Sequence, residues 1–351
     1  MVDLDSEEVY RKDPYKKAFE PVSTYVSDLE SGMKSGESVE IDIDPAYVDK
    51  VALIGIGGSG IIGRVASQLL SSVGVDSRVI SGFSEKLDKF DFAVAVSHSG
   101  NTAETMKTVF DLLDREVKFA FITSDGLLEK TAEKYGIPVA RVRGDVPPRY
   151  GFPNMLGAML GILKKIGLYE PEVDLKRIER FRSGLAEDKP IDDNPAKQVA
   201  LKIMEASLPI VYVYDEVSNA GYRLKCQLNE NAKMYCGFAE IPEAFHNDIE
   251  GLEPGHLVIF PRSAREGREI GEAIDAFIEL RGEDKCVSIR VESDKELEEL
   301  LEFFAFMDYV SLYVSVLRKV DPLILPRVTE LRRVNKAYEE ILGRVRRRVE
   351  G

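Results

Sequence analysis

Residues 51–72 read VALIGIGGSGIIGRVASQLLSS, and residues 92–110 read FAVAVSHSGNTAETMKTVF. Both open on a short run that is apolar at every position, pass through glycine and hydroxyl residues, and continue with apolar residues at helical spacing. A strand without alternation is covered on both faces, as in a parallel sheet wrapped by helices. Each stretch therefore predicts a strand, a tight loop and an amphipathic helix. Shorter runs repeat the theme at RVI (78–80), FAFITS (119–124) and PVARV (138–142), and a helix over 155–166 closes the series.

A second alternation starts at IVYVYD (210–215). It continues through YRLKCQLNENAK (222–233), HLVIFP (256–261), a helix from Ala264, CVSIRV (286–291) and a long helix from Asp294 to Leu317. The halves read as weak copies of one design: VALIGIGGSG corresponds to PIVYVYDEVSNAG, and AVAVSHSGNT to VIFPRSAREG. The second copy lacks the serine-glycine loop, which predicts one phosphate site per chain, in the first half. The expected fold class is α/β, with two doubly wound domains, each a parallel sheet flanked by helices. The expected boundaries are a helical segment over 1–46, a first domain over 47–166, a charged linker over 167–194 with Pro171 and Pro190, and a second domain over 195–351. Within the first segment, a helix from Tyr15 to Met33 is expected outside the first sheet. The basic ending NKAYEEILGRVRRRVEG (335–351) reads as a solvated helix supporting a dimer.

A length of 351 residues suits two domains, and an apolar fraction of 44% suits sizeable cores. A net charge of -14 argues against broad nucleic-acid binding, so an anionic ligand must be held by local positive potential. Cys226, Cys236 and Cys286 are widely spaced and read as reduced thiols. No CxxC or HExxH occurs, so no metal site is expected. The N-terminus lacks the apolar run of a signal peptide, and no uninterrupted apolar stretch reaches membrane-spanning length. These features predict a cytoplasmic protein without a membrane partner.

Gly55, Gly57 and Gly60 satisfy GxGxxG between a strand and a helix, which leaves open a dinucleotide fingerprint or a turn serving only tight packing. The dinucleotide reading wants an acidic residue ending the second strand, and here RVI runs into Ser81 and Gly82. The loop Ser97-His98-Ser99-Gly100-Asn101-Thr102 is more informative. It opens a helix that Thr102 is placed to cap, and a helix N-terminus stabilises an anion without any lysine. The serine and threonine hydroxyls add donors suited to phosphate oxygens. The alternative is a serine-rich cap with no ligand.

SHSGNT resembles the SxSGxT loop of sugar isomerase (SIS) domains, and GIGGSG is similar to the glycine-serine loop of the bifunctional phosphoglucose/phosphomannose isomerases. The resemblance continues in family order through PPRYGFP (147–153), NENAK (229–233), PEAFHNDIEG (242–251) and VDPLILPR (320–327). It implies a hexose 6-phosphate substrate whose phosphate is held by Gly57, Gly58, Ser59, Ser97, Ser99 and Thr102. It implies aldose-ketose isomerisation of glucose 6-phosphate and fructose 6-phosphate, with mannose 6-phosphate as a further substrate, in glycolysis and gluconeogenesis. The proton transfers pass through a cis-enediolate and need no cofactor.

Such a reaction needs a base between C1 and C2, stabilisation of the enediolate, and a group that opens the ring. The resemblance assigns the base to Glu230, ring opening to His246, and stabilisation of the developing charge to Arg149. It also implies a homodimer in which His246 reaches the partner's site. Without the resemblance, Glu230 reads as an exposed helix carboxylate, His246 as a satisfied loop histidine and Arg149 as a surface arginine. His98 reads as shaping the loop, and His256 as structural. The chain departs from the family near its end. Leu325 replaces a threonine, and Arg332 stands where relatives carry a lysine. Arginine keeps the charge but does not deprotonate and has a different reach. This departure motivates an alternative, a non-catalytic regulatory protein that binds sugar phosphates.

Overall fold

The apolar runs of the first half become β1 (Lys50–Ile54), β2 (Asp76–Ile80), β3 (Phe92–Val96), β4 (Lys118–Thr123) and β5 (Val139–Arg141). They pair in parallel in the order β2-β1-β3-β4-β5, and β3 is buried at every position. Those of the second half become β6 (Leu208–Val213), β7 (Gly237–Glu240), β8 (His256–Pro261) and β9 (Cys286–Ile289), also parallel, in the order β7-β6-β8-β9. Counted along the chain, both sheets run second, first, third, fourth. The two copies legible in the sequence share one topology. The sequence reading did not include β7, because GFAE is short and only part-buried and carries no continuous apolar signal.

The computed structural model describes residues 2–83, 87 and 89–351. The chain divides into a second-sheet unit, Met1–Ser23 with Glu172–Ile324, and a first-sheet unit, Thr24–Pro171 with Leu325–Gly351. This division corrects three expected boundaries. The helix expected over Tyr15–Met33 is two helices, Tyr15–Ser23 and Tyr25–Glu37, which belong to different units. The first sets Phe19 against Tyr309 and Tyr313 of the long helix Glu296–Leu317. The expected linker contains a capped helix, Leu175–Ser183, whose N-terminal N–H groups are held by Asp174. Its Arg177 donates to buried Glu302 at 3.0 Å, and its Arg182 donates to the Tyr309 hydroxyl at 2.9 Å. Those bonds make it part of the second-sheet unit.

The third correction concerns the C-terminal helix, Lys336–Glu350, which was expected with the second domain and packs instead on the first-sheet unit. Tyr338, Leu342 and Val345 recur at spacings of four and three, and they join Phe110, Leu128 and Ala132 in that unit's core. Arg348 stacks 4.5 Å from the Phe110 ring centroid and pairs with Asp114. Among the described residues one helix, Glu296–Leu317, is long and apolar enough to cross a membrane by length and composition, although Glu302 and Asp308 interrupt its apolar run. Its most apolar window is entirely buried within the protein, so its apolarity is that of a core helix.

The helices Tyr25–Glu37 and Phe152–Lys165 pack backbone to backbone. Gly32 and Gly36 face Asn154 and Ala158, while Gly157 and Gly161 face Leu29 and Met33. A Cβ built at Gly157 would lie 2.1 Å from the Leu29 carbonyl oxygen, which no rotamer relieves. Gly157→Ala is expected to cost about 3 kcal/mol, the upper end of ordinary overpacking penalties, measured by urea unfolding. A loss below a few tenths would contradict this packing.

Candidate active site

In an open α/β sheet, ligands bind beyond the carboxyl ends of the strands where the strand order reverses. In the first sheet that point lies between β1 and β3, which pair with Ile54 opposite Ala95. The two loops released there are Gly55–Ser59 and Ser97–Thr102, the two hydroxyl-bearing loops of the sequence. The order β2-β1-β3-β4-β5 is the flavodoxin-like one rather than the 3-2-1-4-5-6 of dinucleotide-binding folds, and β2 ends at Ile80 before Ser81. Both observations weigh against the dinucleotide reading of GxGxxG.

Ser59 is the N-cap residue of the helix Gly60–Ser72, and Thr102 of the helix Ala103–Leu113. The Thr102 side chain does not cap its own helix. Its hydroxyl meets the Ser97 hydroxyl at 3.0 Å, and the His98 N–H donates to Ser59 Oγ at 3.4 Å. Three hydroxyl side chains thus lie beside two helix N-termini, whose first-turn N–H groups have no intrahelical partners. Ser99 is exposed on the same loop. Gly57 (φ +60°) and Gly100 (φ +64°) adopt the left-handed backbone. A Cβ at Gly100 would lie 1.8 Å from the Asp125 carbonyl oxygen, so the loop closes only with glycine there.

Arg149 follows Pro147 and Pro148 in a turn closed by bonds from the Tyr150 and Gly151 N–H groups to the Pro147 carbonyl. Its guanidinium lies 4.8 Å from the Tyr150 ring centroid, and the residue is only 4% exposed. This is no surface arginine: a permanent charge sits in a partly desolvated setting, where its field is strong. Gly58 lies against this turn, since a Cβ there would meet the Arg149 Cα at 3.6 Å.

His98 ties the loops together. Its carbonyl accepts from the Ser124 N–H and hydroxyl, and its ring presses on Gly151, where a Cβ would lie 2.8 Å from Nε2. Nε2 is buried with no hydrogen-bond partner among the described residues. Burial holds the imidazole below the ordinary histidine range, partly opposed by a hydrogen bond to the Arg143 backbone and by the charge of Asp145. Arg143 is itself fixed by Asp28 and Asp145. Tyr338 is a residue that the sequence reading missed. Its hydroxyl donates to the Asn101 carbonyl at 3.0 Å, so the C-terminal helix braces the hydroxyl loop. Its sequence signal was only an aromatic at an apolar helix position.

Arg332 belongs to this same unit, exposed on the helix Pro326–Val334, with its guanidinium 6.0 Å from the Tyr338 ring centroid. Leu325 is the N-cap residue of that helix.

Glu230 and His246 belong to the second-sheet unit. Glu230 ends the helix Ser218–Glu230, which is locked by the buried Asp308 of the helix Glu296–Leu317. Arg223 and Gln227 each donate to Asp308 at 2.6 Å, and Asn231 donates to Ser311 at 2.9 Å. These bonds bracket Glu230 along the chain and hold it part-buried. His246 ends the turn Glu243–His246 and is exposed. The preceding Phe245 anchors the turn by stacking on Phe277 at 5.3 Å. His256 begins β8, where its Nδ1 accepts from the Glu253 N–H.

The family model for the bacterial phospho-glucose isomerase C-terminal SIS domain matches residues 192–334. A bifunctional phosphoglucose/phosphomannose isomerase of Caldicellulosiruptor bescii is 27% identical over 345 residues, covering 92% of this chain and 99% of the relative. A D-glucosamine-6-phosphate 4-epimerase of Sulfolobus acidocaldarius is 32% identical over 203 residues, 58% of this chain and 63% of the relative. Among solved structures, a glucose-6-phosphate isomerase like protein from Thermus thermophilus has a TM-score of 0.63 at 18% identity, covering 95% of this chain and 100% of that one. At that identity the likeness establishes the fold alone.

Two outcomes test this site. Asp308→Ala leaves the buried Arg223 charge without its carboxylate and is expected to cost about 3–5 kcal/mol in urea unfolding. His98 binds fewer protons folded than unfolded, so its contribution is full above about pH 6.5 and is lost as pH falls through the window below. The stability lost between pH 7.5 and 5.5 should be smaller in His98→Asn than in the unsubstituted protein; equal losses would contradict a neutral buried imidazole.

Proposed function

We propose that this chain, which carries a match to the C-terminal SIS domain and aligns with bifunctional phosphoglucose/phosphomannose isomerases over most of its length, is an isomerase of that kind that interconverts glucose 6-phosphate and fructose 6-phosphate, and mannose 6-phosphate with them. The observation that carries the reading is this end-to-end similarity in a chain that retains Glu230, His246 and Arg149 within their family motifs. It does not favour the non-catalytic alternative.

In this reading the hydroxyls of Ser59, Ser97, Ser99 and Thr102, with the backbone of Gly57 and Gly58, hold the phosphate. Two helix N-termini supply positive potential, which lets a chain of net charge -14 bind an anionic ester. The Glu230 carboxylate removes the proton from C2 of the open-chain aldose and returns it to C1, while the O2 hydroxyl proton passes to O1 as the carbonyl moves from C1 to C2. The electron pair released by the C–H bond forms the enediolate, whose oxygen charge Arg149 stabilises; a preorganised donor of this kind is worth roughly 3 kcal/mol. His246 opens the ring by proton transfer near neutral pH. Its exposure on a single chain supports donation to the site of a second copy in a homodimer. Three free thiols support a reducing, cytoplasmic compartment and a role in central carbohydrate metabolism.

A second reading, chemistry at C4 of an amino-sugar phosphate, is favoured by the 32% identity to the D-glucosamine-6-phosphate 4-epimerase and by Leu325 and Arg332 in place of threonine and lysine. One assay separates the two. The purified protein is incubated with fructose 6-phosphate, mannose 6-phosphate and D-glucosamine 6-phosphate, and products are resolved by NMR. Glu230→Gln is expected to lower kcat for fructose 6-phosphate by about 10²–10⁴ with substrate binding retained. Undiminished turnover in that variant would remove Glu230 as the base, and product from the amino sugar alone would favour the second reading.

A further inference from the structure

The second sheet reverses its order between β6 and β8, as the first does between β1 and β3. The loops after β3 and β8 have equal length: Ser97–Thr102 before the helix Ala103–Leu113, and Arg262–Gly267 before the helix Arg268–Arg281. The second crevice is filled by the chain's own carboxylates. Glu299, 1% exposed, accepts from the Ser263 hydroxyl at 2.8 and 2.9 Å, the Ala264 N–H at 2.7 Å and the Arg265 guanidinium at 2.9 Å. Beside it, Glu266 accepts from the Tyr214 hydroxyl at 2.9 Å and pairs with Arg262 and Arg290, while Tyr214 in turn accepts from the Ser263 N–H at 2.8 Å. A loop hydroxyl, a loop N–H and a guanidinium converging on one anion are the donor set that a phosphate or carboxylate ligand needs.

We propose that the loop Arg262–Gly267 is a second anion cradle whose resident ligand is the Glu299 carboxylate, so that each chain binds one sugar phosphate rather than two. The comparison rests on the reading of Ser97–Thr102 as the phosphate loop. The ligand class is a small oxyanion, phosphate or carboxylate, and Glu299 excludes it by occupying the Ser263 hydroxyl, the Ala264 N–H and one N–H of the Arg265 guanidinium. Withdrawing that side chain vacates a position still lined by Ser263, Ala264 and Arg265, and a free anion then binds only the folded state and stabilises it.

The test compares the full-length protein with Glu299→Ala, Glu299→Gln and Glu298→Ala. Glu298 is an equally buried neighbour that accepts from the Asp174 N–H and the Ser293 hydroxyl, outside the cradle. Melting temperature is followed against inorganic phosphate and, separately, acetate at constant ionic strength. Glu299→Ala is expected to melt several degrees lower, to regain most of the loss with added anion, and to bind two phosphate ions per chain by calorimetry. Glu298→Ala should show no such rescue. Glu299→Gln removes the charge but still fills the cradle, so it is expected to melt lower without anion rescue; if Glu299→Ala fails to fold, rescue of Glu299→Gln by phosphate or acetate, alone or alongside Glu298→Ala, would overturn the proposal. Two phosphate ions bound by the unsubstituted chain, or equal anion response in both alanine variants, would overturn the proposal. Absence of hexose phosphate turnover would count against the isomerase reading and leave the rescue measurement interpretable.

Discussion

The parallel pairing of β1 with β3, with Ile54 opposite Ala95, is the constraint from which the candidate phosphate site follows. Parallel neighbours release their loops at the same edge of the sheet. Because β2 lies on one side of this pair and β4 on the other, the two crossovers leave in opposite directions and open a crevice between them. Into that crevice the chain delivers two helix N-termini and three hydroxyl side chains. The positive potential there comes from backbone dipoles and buried Arg149, so it coexists with a strongly negative chain.

Rigid packing surrounds these loops. Gly100 allows its turn to lie against the Asp125 carbonyl, His98 wedges the hydroxyl loop against the turn that carries Arg149, and Tyr338 ties the loop's back to the C-terminal helix. Each contact removes freedom from a loop that hydroxyl chemistry alone would leave mobile, and preorganisation of this kind reduces the ordering cost of binding. Glu230 is treated alike in its own unit. The buried contacts of Gln227 with Asp308 and of Asn231 with Ser311 fix the end of the helix that carries it.

The two sheets show that one topology accepts opposite contents at its reversal point. In the first, neutral hydroxyls of Ser59, Ser97 and Thr102 lie on the loops that follow β1 and β3. In the second, Glu266 and Glu299 satisfy the same class of donors from within, and Tyr214 bridges the two sides. Buried carboxylates are tolerated there because each is paired and hydrogen-bonded on several sides.

Much of this was legible in the primary structure. Continuous apolar runs identify buried parallel strands because both faces are covered, and glycine-serine loops between strand and helix mark anion sites because those residue types are the ones a tight turn and a phosphate need. The repeat of two α/β halves was equally readable. What the sequence could not decide was which unit a helix joins. The helices Tyr15–Ser23 and Tyr25–Glu37 follow one another in a single stretch of helical spacing, yet one docks through Phe19 on aromatic residues of the second-sheet unit, and the other through Gly32 and Gly36 on the backbone of the first. Likewise the amphipathic face of Tyr338, Leu342 and Val345 demanded a partner without naming it, and β7 was silent because its burial comes from neighbours rather than from its own residues. Periodicity records that a face is buried; only the closed packing of the whole chain determines against what.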